Sequence, residues 1–254
     1  MKIFENLNEW ISFRKAITNK TIGFVPTMGN LHQGHKSLLL RSVEENDISI
    51  LSIYINPTQF QNKNDLEKYP KTYEEDIKIA KQAGIDFIIM PTYEQIYPDH
   101  YTYKMTNNSE LSTIMEGRTR PGFFDGMLTV VLKLLMIAKA NKAYFGEKDY
   151  QQLCLVKDMA AAFFLDTEII PCPTIRNENG FALSSRNNRL NKQQLELAQN
   201  FPKLLHSDKT CDEIKRCLEN LNIKVNYIQE YKNRRLGSVV IGNINLIDNG
   251  SIEN

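Results

Sequence analysis

Two histidines three residues apart, His32 and His35, stand in the segment Thr21-Ile-Gly-Phe-Val-Pro-Thr-Met-Gly-Asn-Leu-His-Gln-Gly-His-Lys-Ser-Leu-Leu-Leu40. The order is an apolar β-rich run, a turn punctuated by Gly29 and Gly34, and a helix. In an open parallel sheet ligands bind at the carboxyl ends of strands, where the next helix offers free N–H groups and a partial positive charge. An anion site is therefore expected in this segment. If the helix starts between the histidines, both imidazoles point toward the same anion. Imidazole suits the neutralisation of charge developing on a phosphate near neutral pH. From these residues alone two other readings stay open, an exposed pair at a helix start or a pair of metal ligands. The remaining histidines, His100 and His206, supply no obvious third ligand for the latter.

Familiar nucleotide loops do not fit. Gly29 and Gly34 have the spacing of a phosphate loop, but that loop needs Lys directly after its second Gly, and His35 intervenes before Lys36-Ser37. The dinucleotide fingerprint G-x-G-x-x-G is absent as well. A P-loop NTPase is thus a weak alternative, and a dinucleotide-dependent dehydrogenase loses its main support.

The elements that must position these residues follow an alternating β/α pattern from residue 21 to residue 170, the pattern of βαβ units around a parallel sheet. Short apolar runs predict strands at Thr21–Val25, Ile48–Ile55, Phe87–Met90, Ala143–Phe145 and Glu168–Ile170. Helices are predicted at Thr72–Ala83, with a Thr72/Glu75 capping box and Gly84 as stop, from Asp149 onward, and at Met127–Asn141. Pro171–Arg189 holds two prolines and a glycine without clear period and reads as a long connection and domain boundary. Beyond it lie a helix after Asn191, another after Thr210 with a Thr210/Glu213 capping box, and strand-like runs Lys224–Gln229 and Val239–Ile247. Together they predict a small α+β domain.

Composition narrows the class. With 254 residues the chain is long enough for one large domain or two unequal ones. The 31 Lys+Arg against 30 Asp+Glu leave a net charge of +1, so nothing advertises a nucleic-acid partner. Four cysteines without C-x-x-C spacing signal neither a disulfide framework nor a zinc site, and reduced thiols in a cytoplasmic compartment are the expectation. No apolar leader and no run approaching about 18 apolar residues is visible, so neither secretion nor a membrane span is expected.

Pro-Thr-Met-Gly-x-Leu-His-x-Gly-His resembles the nucleotide-binding motif of the pantothenate synthetase (pantoate–β-alanine ligase) family. That family belongs to the HxGH nucleotidyltransferase superfamily, which also contains class I aminoacyl-tRNA synthetases. Four further segments resemble the same family in the same order: Ile55-Asn-Pro-Thr-Gln-Phe60 with Asp65 to Tyr69-Pro70; Glu116-Gly-Arg-Thr-Arg-Pro-Gly122; Phe145-Gly-Glu-Lys-Asp-Tyr-Gln-Gln-Leu153; and Pro173-Thr-Ile-Arg176 with Ala182-Leu-Ser-Ser-Arg-Asn187. The likeness covers about residues 20 to 190, with a fainter match at Leu246-Ile-Asp-Asn249. Two departures stand out. The family continues Arg-Pro-Gly with His where this chain has Phe123, and it tends to place Glu where this chain has Asn177.

The resemblance implies an α/β fold: a Rossmann-like parallel sheet flanked by helices over residues 1–175, a hinge and phosphate loop at 176–189, and an α+β lid over 190–254. It implies an ATP-dependent ligase that joins pantoate to β-alanine through pantoyl adenylate, releasing AMP and pyrophosphate. Mg²⁺ would be carried in with ATP, and the family implies a homodimer. His35 as proton donor, His32, Lys148 and Arg186 would be catalytic. The nucleotide would lie along Met28, Gly29, Asn30, Leu31, His32, Gln33, Gly34 and His35, along Gly146, Glu147, Lys148 and Asp149, and along Ser184, Ser185 and Arg186. Ile175 and Leu183 would flank the adenine, and Asp149 reads equally as a plain helix cap. Gln59 and Gln152, assisted by Asn56 and Arg120, would hold pantoate, since uncharged amides bind its hydroxyls and carboxylate without competing as nucleophiles. The alternatives are a related nucleotidyltransferase acting on a phosphorylated acceptor and a catalytically silent small-molecule binder.

Overall fold

The computed structural model describes residues 1–61 and 63–252. Six strands, β1 (Lys2–Phe4), β2 (Ile22–Thr27), β3 (Ile48–Ile53), β4 (Phe87–Ile89), β5 (Lys142–Gly146) and β6 (Glu168–Cys172), form one sheet in the order β1-β4-β3-β2-β5-β6. Every pairing is parallel. The five expected strands are present with shifted ends. The unexpected β1 is a three-residue edge strand in which only Phe4 is buried, too short to show a period.

Side chains of the central strands alternate between two apolar cores, as a period of two requires. Ile22, Phe24, Ile50, Ala143 and Phe145 face one core, which is closed by α1 (Leu7–Lys15) and two later helices. Val25, Leu51, Ile53 and Tyr144 face the other, closed by α2 (Gln33–Glu45) and α3 (Tyr73–Ala83). The later helices are α4 (Phe123–Ala138) and α5 (Tyr150–Ala162). The chain runs from β2 outward to β3 and β4, then returns to the other side of β2 for β5 and β6. The order therefore switches between β2 and β5, the place where a crevice opens outside the strand ends.

Helix starts depart from the expectation in three places. Thr72 makes no capping hydrogen bond; its hydroxyl donates instead to Asp76 Oδ2 at 3.2 Å, so the Thr72/Glu75 box does not form. The helix expected from Asp149 begins at Tyr150, after a 3₁₀ turn over Glu147–Asp149. α4 starts four residues before Met127 because Gly122, with φ +78°, lets the chain enter the helix directly from the Arg-Pro-Gly turn. The Gly84 stop is present in the left-handed conformation.

After β6 the chain is less irregular than Pro171–Arg189 suggested. Pro171 lies within β6, an edge strand, where its missing N–H costs no ladder bond. Arg176 and Ala182 then pair across a tight turn that Asn177 closes, its Oδ1 accepting from the N–H groups of Asn179 and Phe181.

The helix after Asn191 is two helices, α6 (Lys192–Ala198) and α7 (Asn200–Leu205), since Pro202 lacks the N–H that would continue the ladder. α8 (Cys211–Asn220) starts with the expected Thr210/Glu213 box. The run Val239–Ile247 is not one strand but the turn of a hairpin. β8 (Arg234–Ile241) and β9 (Ile244–Ser251) are joined at Gly242, φ +62°, and β7 (Lys224–Tyr231) completes an antiparallel sheet β7-β8-β9. This sheet has its own core, including Phe201, Leu205, Ile214, Leu218 and Val239. No helix of the described residues is long and apolar enough to cross a membrane.

α4 lies so close to the turn after β3 that a Cβ at Gly126 would collide with the Thr58 carbonyl oxygen. Gly126→Ala should therefore cost about 1–3 kcal/mol, the usual price of overpacking. Urea unfolding checks it; an unchanged midpoint would show that α4 can move aside.

Candidate active site

The loops that follow β2, β3, β5 and β6 all leave the same edge of the sheet, and they carry the candidate residues to the switch point. Beyond β2 the chain turns through Gly29 (φ +80°) and Asn30 (φ +52°) and enters α2 with His32 as its N-cap. The two histidines form a capping box. Gly34 N–H donates to His32 Nδ1 at 3.1 Å, and His32 N–H donates to His35 Nδ1 at 3.3 Å. Because each Nδ1 accepts, each ring is neutral with its hydrogen on Nε2. The rings lie 4.1 Å apart.

Charge and burial enforce that state. Burial first, and the Lys148 ammonium second, push the His32 pKa down to about 4 against the opposing Asp149 carboxylate. Burial, His32 and Lys148 push His35 down to about 3. Lys148 and Asp149 of the β5–α5 turn thus lie near enough to act on the histidines across the crevice. Lys148 Nζ is 3.9 Å from Asp149 Oδ2, and the Asp149 side chain makes no helix-capping bond.

That turn is held from the other sheet. Asn249 Nδ2 in β9 donates to the carbonyl oxygens of Glu147 and Lys148, both at 2.9 Å. Arg234 in β8 donates to Asn249 Oδ1 and to Glu147 Oε2, each at 2.7 Å. The Glu147 carboxylate is therefore engaged with Arg234. From the β6 connection come Ser184, which donates to Asn187 Oδ1, and Ser185, whose hydroxyl reaches the Asn30 carbonyl at 3.5 Å. Arg186 lines, together with Lys148, both a cleft of about 280 Å³ against Asn245–Asp248 and a neighbouring one of about 430 Å³. Ile175 and Leu183, both half-buried, are joined by a backbone hydrogen bond at 3.0 Å.

The larger cleft also takes in Gln152, Arg120, Phe123 and Tyr227. Burial and the nearby Arg186 guanidinium lower the Arg120 pKa from the usual arginine value. Arg120 lies 3.7 Å from Glu116 and stacks 3.6 Å from the Phe123 ring centre, so the Phe123 ring offers this cation an aromatic face. Gln59 donates to the Met28 sulfur and accepts from Asn56. Asn56 is buried and fully engaged. It donates to Gln59 and to the Gly126 carbonyl, and accepts from Tyr97 and Thr58.

Of the nucleotide-loop candidates, Leu31 is buried and Gln33 exposed. The N–H groups of Asn30 and Leu31 are occupied by the carboxylate of Asp76. Gly146 lies at the end of β5, at the crevice. Four residues escaped the sequence reading. Asp76 looks like any acid in a helix first turn, Asn249 lies in the faint C-terminal match, and Arg234 reads as an exposed strand charge. Gln151, buried beside Gln152, accepts from Glu116 N–H and donates to the Leu111 and Ile114 carbonyls, fixing the Met115 turn.

Known proteins of one family resemble this chain over nearly its whole length. A family model described as pantoate-beta-alanine ligase matches residues 1–251. A pantothenate synthetase of Coxiella burnetii (strain Dugway 5J108-111) is 56% identical over 98% of this chain and 96% of its own length. One of Legionella pneumophila (strain Corby) is 50% identical over 98% and 99%. The crystal structure of the Francisella tularensis pantoate-beta-alanine ligase, complexed with beta-gamma ATP and beta-alanine, superposes with a TM-score of 0.94 at 42% identity, covering 99% of this chain and 97% of that one.

The histidine geometry makes a testable statement. In ¹⁵N spectra at pH 7, His32 and His35 should both appear as neutral Nε2–H tautomers and stay neutral down to about pH 5; an Nδ1–H signal from either would refute the capping box. Since both folded-state values lie below the ordinary 6.5, the unfolded chain takes up protons first on acidification. The stability due to the neutral pair is fully present above pH 6.5 and falls as the pH drops toward 4. Urea midpoints measured across that window should show the fall, and a His32→Gln/His35→Gln variant should lose most of it.

Proposed function

Because the chain belongs to the pantoate–β-alanine ligase family, its reaction is the ATP-dependent condensation of pantoate with β-alanine through pantoyl adenylate, and we propose that the residues at the switch point carry it as follows. The observation that carries the assignment is the pair of neutral imidazoles beside Lys148, each with Nε2–H as its remaining donor. Neutral donors bind phosphate oxygens directionally, while Lys148 and Arg186 supply the positive charge. In-line attack of the pantoate carboxylate on the α-phosphorus needs little covalent help, so positioning and charge neutralisation account for catalysis. His35 and His32 hold the triphosphate, His35 donating as negative charge moves to the pyrophosphate. Ser184, Ser185 and Arg186 close on the β- and γ-phosphates from the 176–189 connection.

Gln152 and Gln59 bind pantoate, with Asn56 fixing the Gln59 amide and Arg120 as an added cation at the cleft wall. Ile175, Leu183, Gly146 and Asp149 flank the nucleoside. β-Alanine, as the free amine, then attacks the acyl carbon and AMP leaves. Mg²⁺ enters with ATP, held chiefly by phosphate oxygens. Residues 1–175 form the main domain and 190–254 a lid; the protein acts in the cytoplasm as a homodimer.

The deciding experiment follows AMP and pyrophosphate release from Mg·ATP with pantoate, with and without β-alanine. Sustained AMP turnover should require both acids. ATP consumption indifferent to either would sink the assignment and favour a nucleotidyltransferase with another acceptor. His35→Ala should lower kcat on the order of 10²- to 10³-fold, as loss of a pre-placed transition-state donor does. Gln152→Ala should act mainly through pantoate. Wild-type turnover in the first, or unchanged pantoate kinetics in the second, would remove that residue from the site.

A further inference from the structure

The turn between β2 and α2 aims two successive N–H groups at one point, an arrangement that binds anions. The anion there is the protein's own. Asp76, 1% exposed in α3, accepts from Leu31 N–H through Oδ1 at 2.7 Å and from Asn30 N–H through Oδ2 at 3.0 Å. Thr72 Oγ1 donates to the same Oδ2 at 3.2 Å. The fit leaves no slack, for a Cβ at Gly29 would lie 2.9 Å from Asp76 Oδ2. Gly29 and Asn30 both hold positive φ, which costs Asn less than most residues, and the carboxylate is the group that holds them there. His32 follows directly as the cap of α2.

We propose that Asp76 is a positioning residue of the nucleotide site, rigidly setting the left-handed turn so that the His32 and His35 rings meet the phosphates. It touches no substrate. By occupying the N–H groups of Asn30 and Leu31 it also keeps them from the triphosphate, so the phosphates are directed to the imidazoles, Lys148 and Arg186. The inference rests on the ligase reading for its kinetic consequence but not for its structural one.

Asp76→Asn is the test. Three donors, Asn30 N–H, Leu31 N–H and Thr72 O–H, would then meet one oxygen and one NH₂ group, leaving at least one buried N–H without an acceptor. The ¹⁵N resonances of His32 and His35 should shift or broaden while those of His100 and His206 stay in place. Turnover should fall on the order of 10²-fold, as for a reacting group displaced by an ångström, with the pantoate KM unchanged. Unmoved His32 and His35 resonances, or a loss of turnover shared with an equal rise in every KM, overturns the proposal. If Asp76→Asn does not fold, Gly29→Ala presses on the same contact from the other side and must give the same pattern; wild-type spectra and kinetics in that variant overturn the proposal too. Should the unaltered protein make no AMP from ATP and the two acids, the ligase reading fails, and the histidine spectra still decide the role of Asp76.

Discussion

The side-chain amide of Asn249 donates to two successive carbonyl oxygens, and the placement of Lys148 depends on it. A turn of three residues between a strand and a helix has few contacts of its own to define where its side chains point. Here the definition comes from outside, through Asn249 and through the Arg234 bridge that binds both Asn249 and Glu147. The contacts are short, charged or doubly engaged, and Asn249 is buried, so water offers little competition. The parallel sheet supplies the crevice, but the antiparallel sheet supplies the hand that holds its lysine in place.

The division of charge within the crevice follows from the same packing. Half-buried beside an ammonium, two imidazoles cannot readily take a second proton, and their Nδ1 atoms are spent on capping α2. What remains is a pair of neutral N–H donors with fixed direction. Positive charge comes instead from Lys148, Arg186 and Arg120, which sit on separate loops. The Arg186 guanidinium is close enough to Arg120 to disfavour its charge, an arrangement an anion between them would relieve.

Much of this was legible from residue types and spacing. The parallel sheet could be read from short apolar runs between helical periods, and the site from His32-x-x-His35 in a glycine-bearing turn. The departures from that pattern have separate physical causes. Thr72 and Glu75 spell a capping box, yet the Thr72 hydroxyl is drawn to Asp76, whose own partners lie 45 and 46 residues away. Val239–Ile247 reads as one apolar strand because Gly242-Asn243 is brief, although that is the length a tight hairpin needs. The resemblance marks Asn56 as a pantoate contact, while the engagement of its amide, with Tyr97 and Gly126 among its partners, emerges only from the fold. Nothing in a single strand residue such as Arg234 announces that it crosses to another sheet.

The contacts of Asn249 span 101 and 102 positions along the chain. During synthesis β5 and its turn leave the ribosome long before β9 exists, and for that interval the lysine turn has no clamp. The histidine pair, by contrast, is capped by neighbours two and three residues away and can form early. Such non-local closure comes late in folding, because its loop entropy must be paid before any contact rewards it. A half-made chain can therefore shape the histidine half of the crevice, but the lysine turn gains its clamp only once the β8–β9 hairpin has formed.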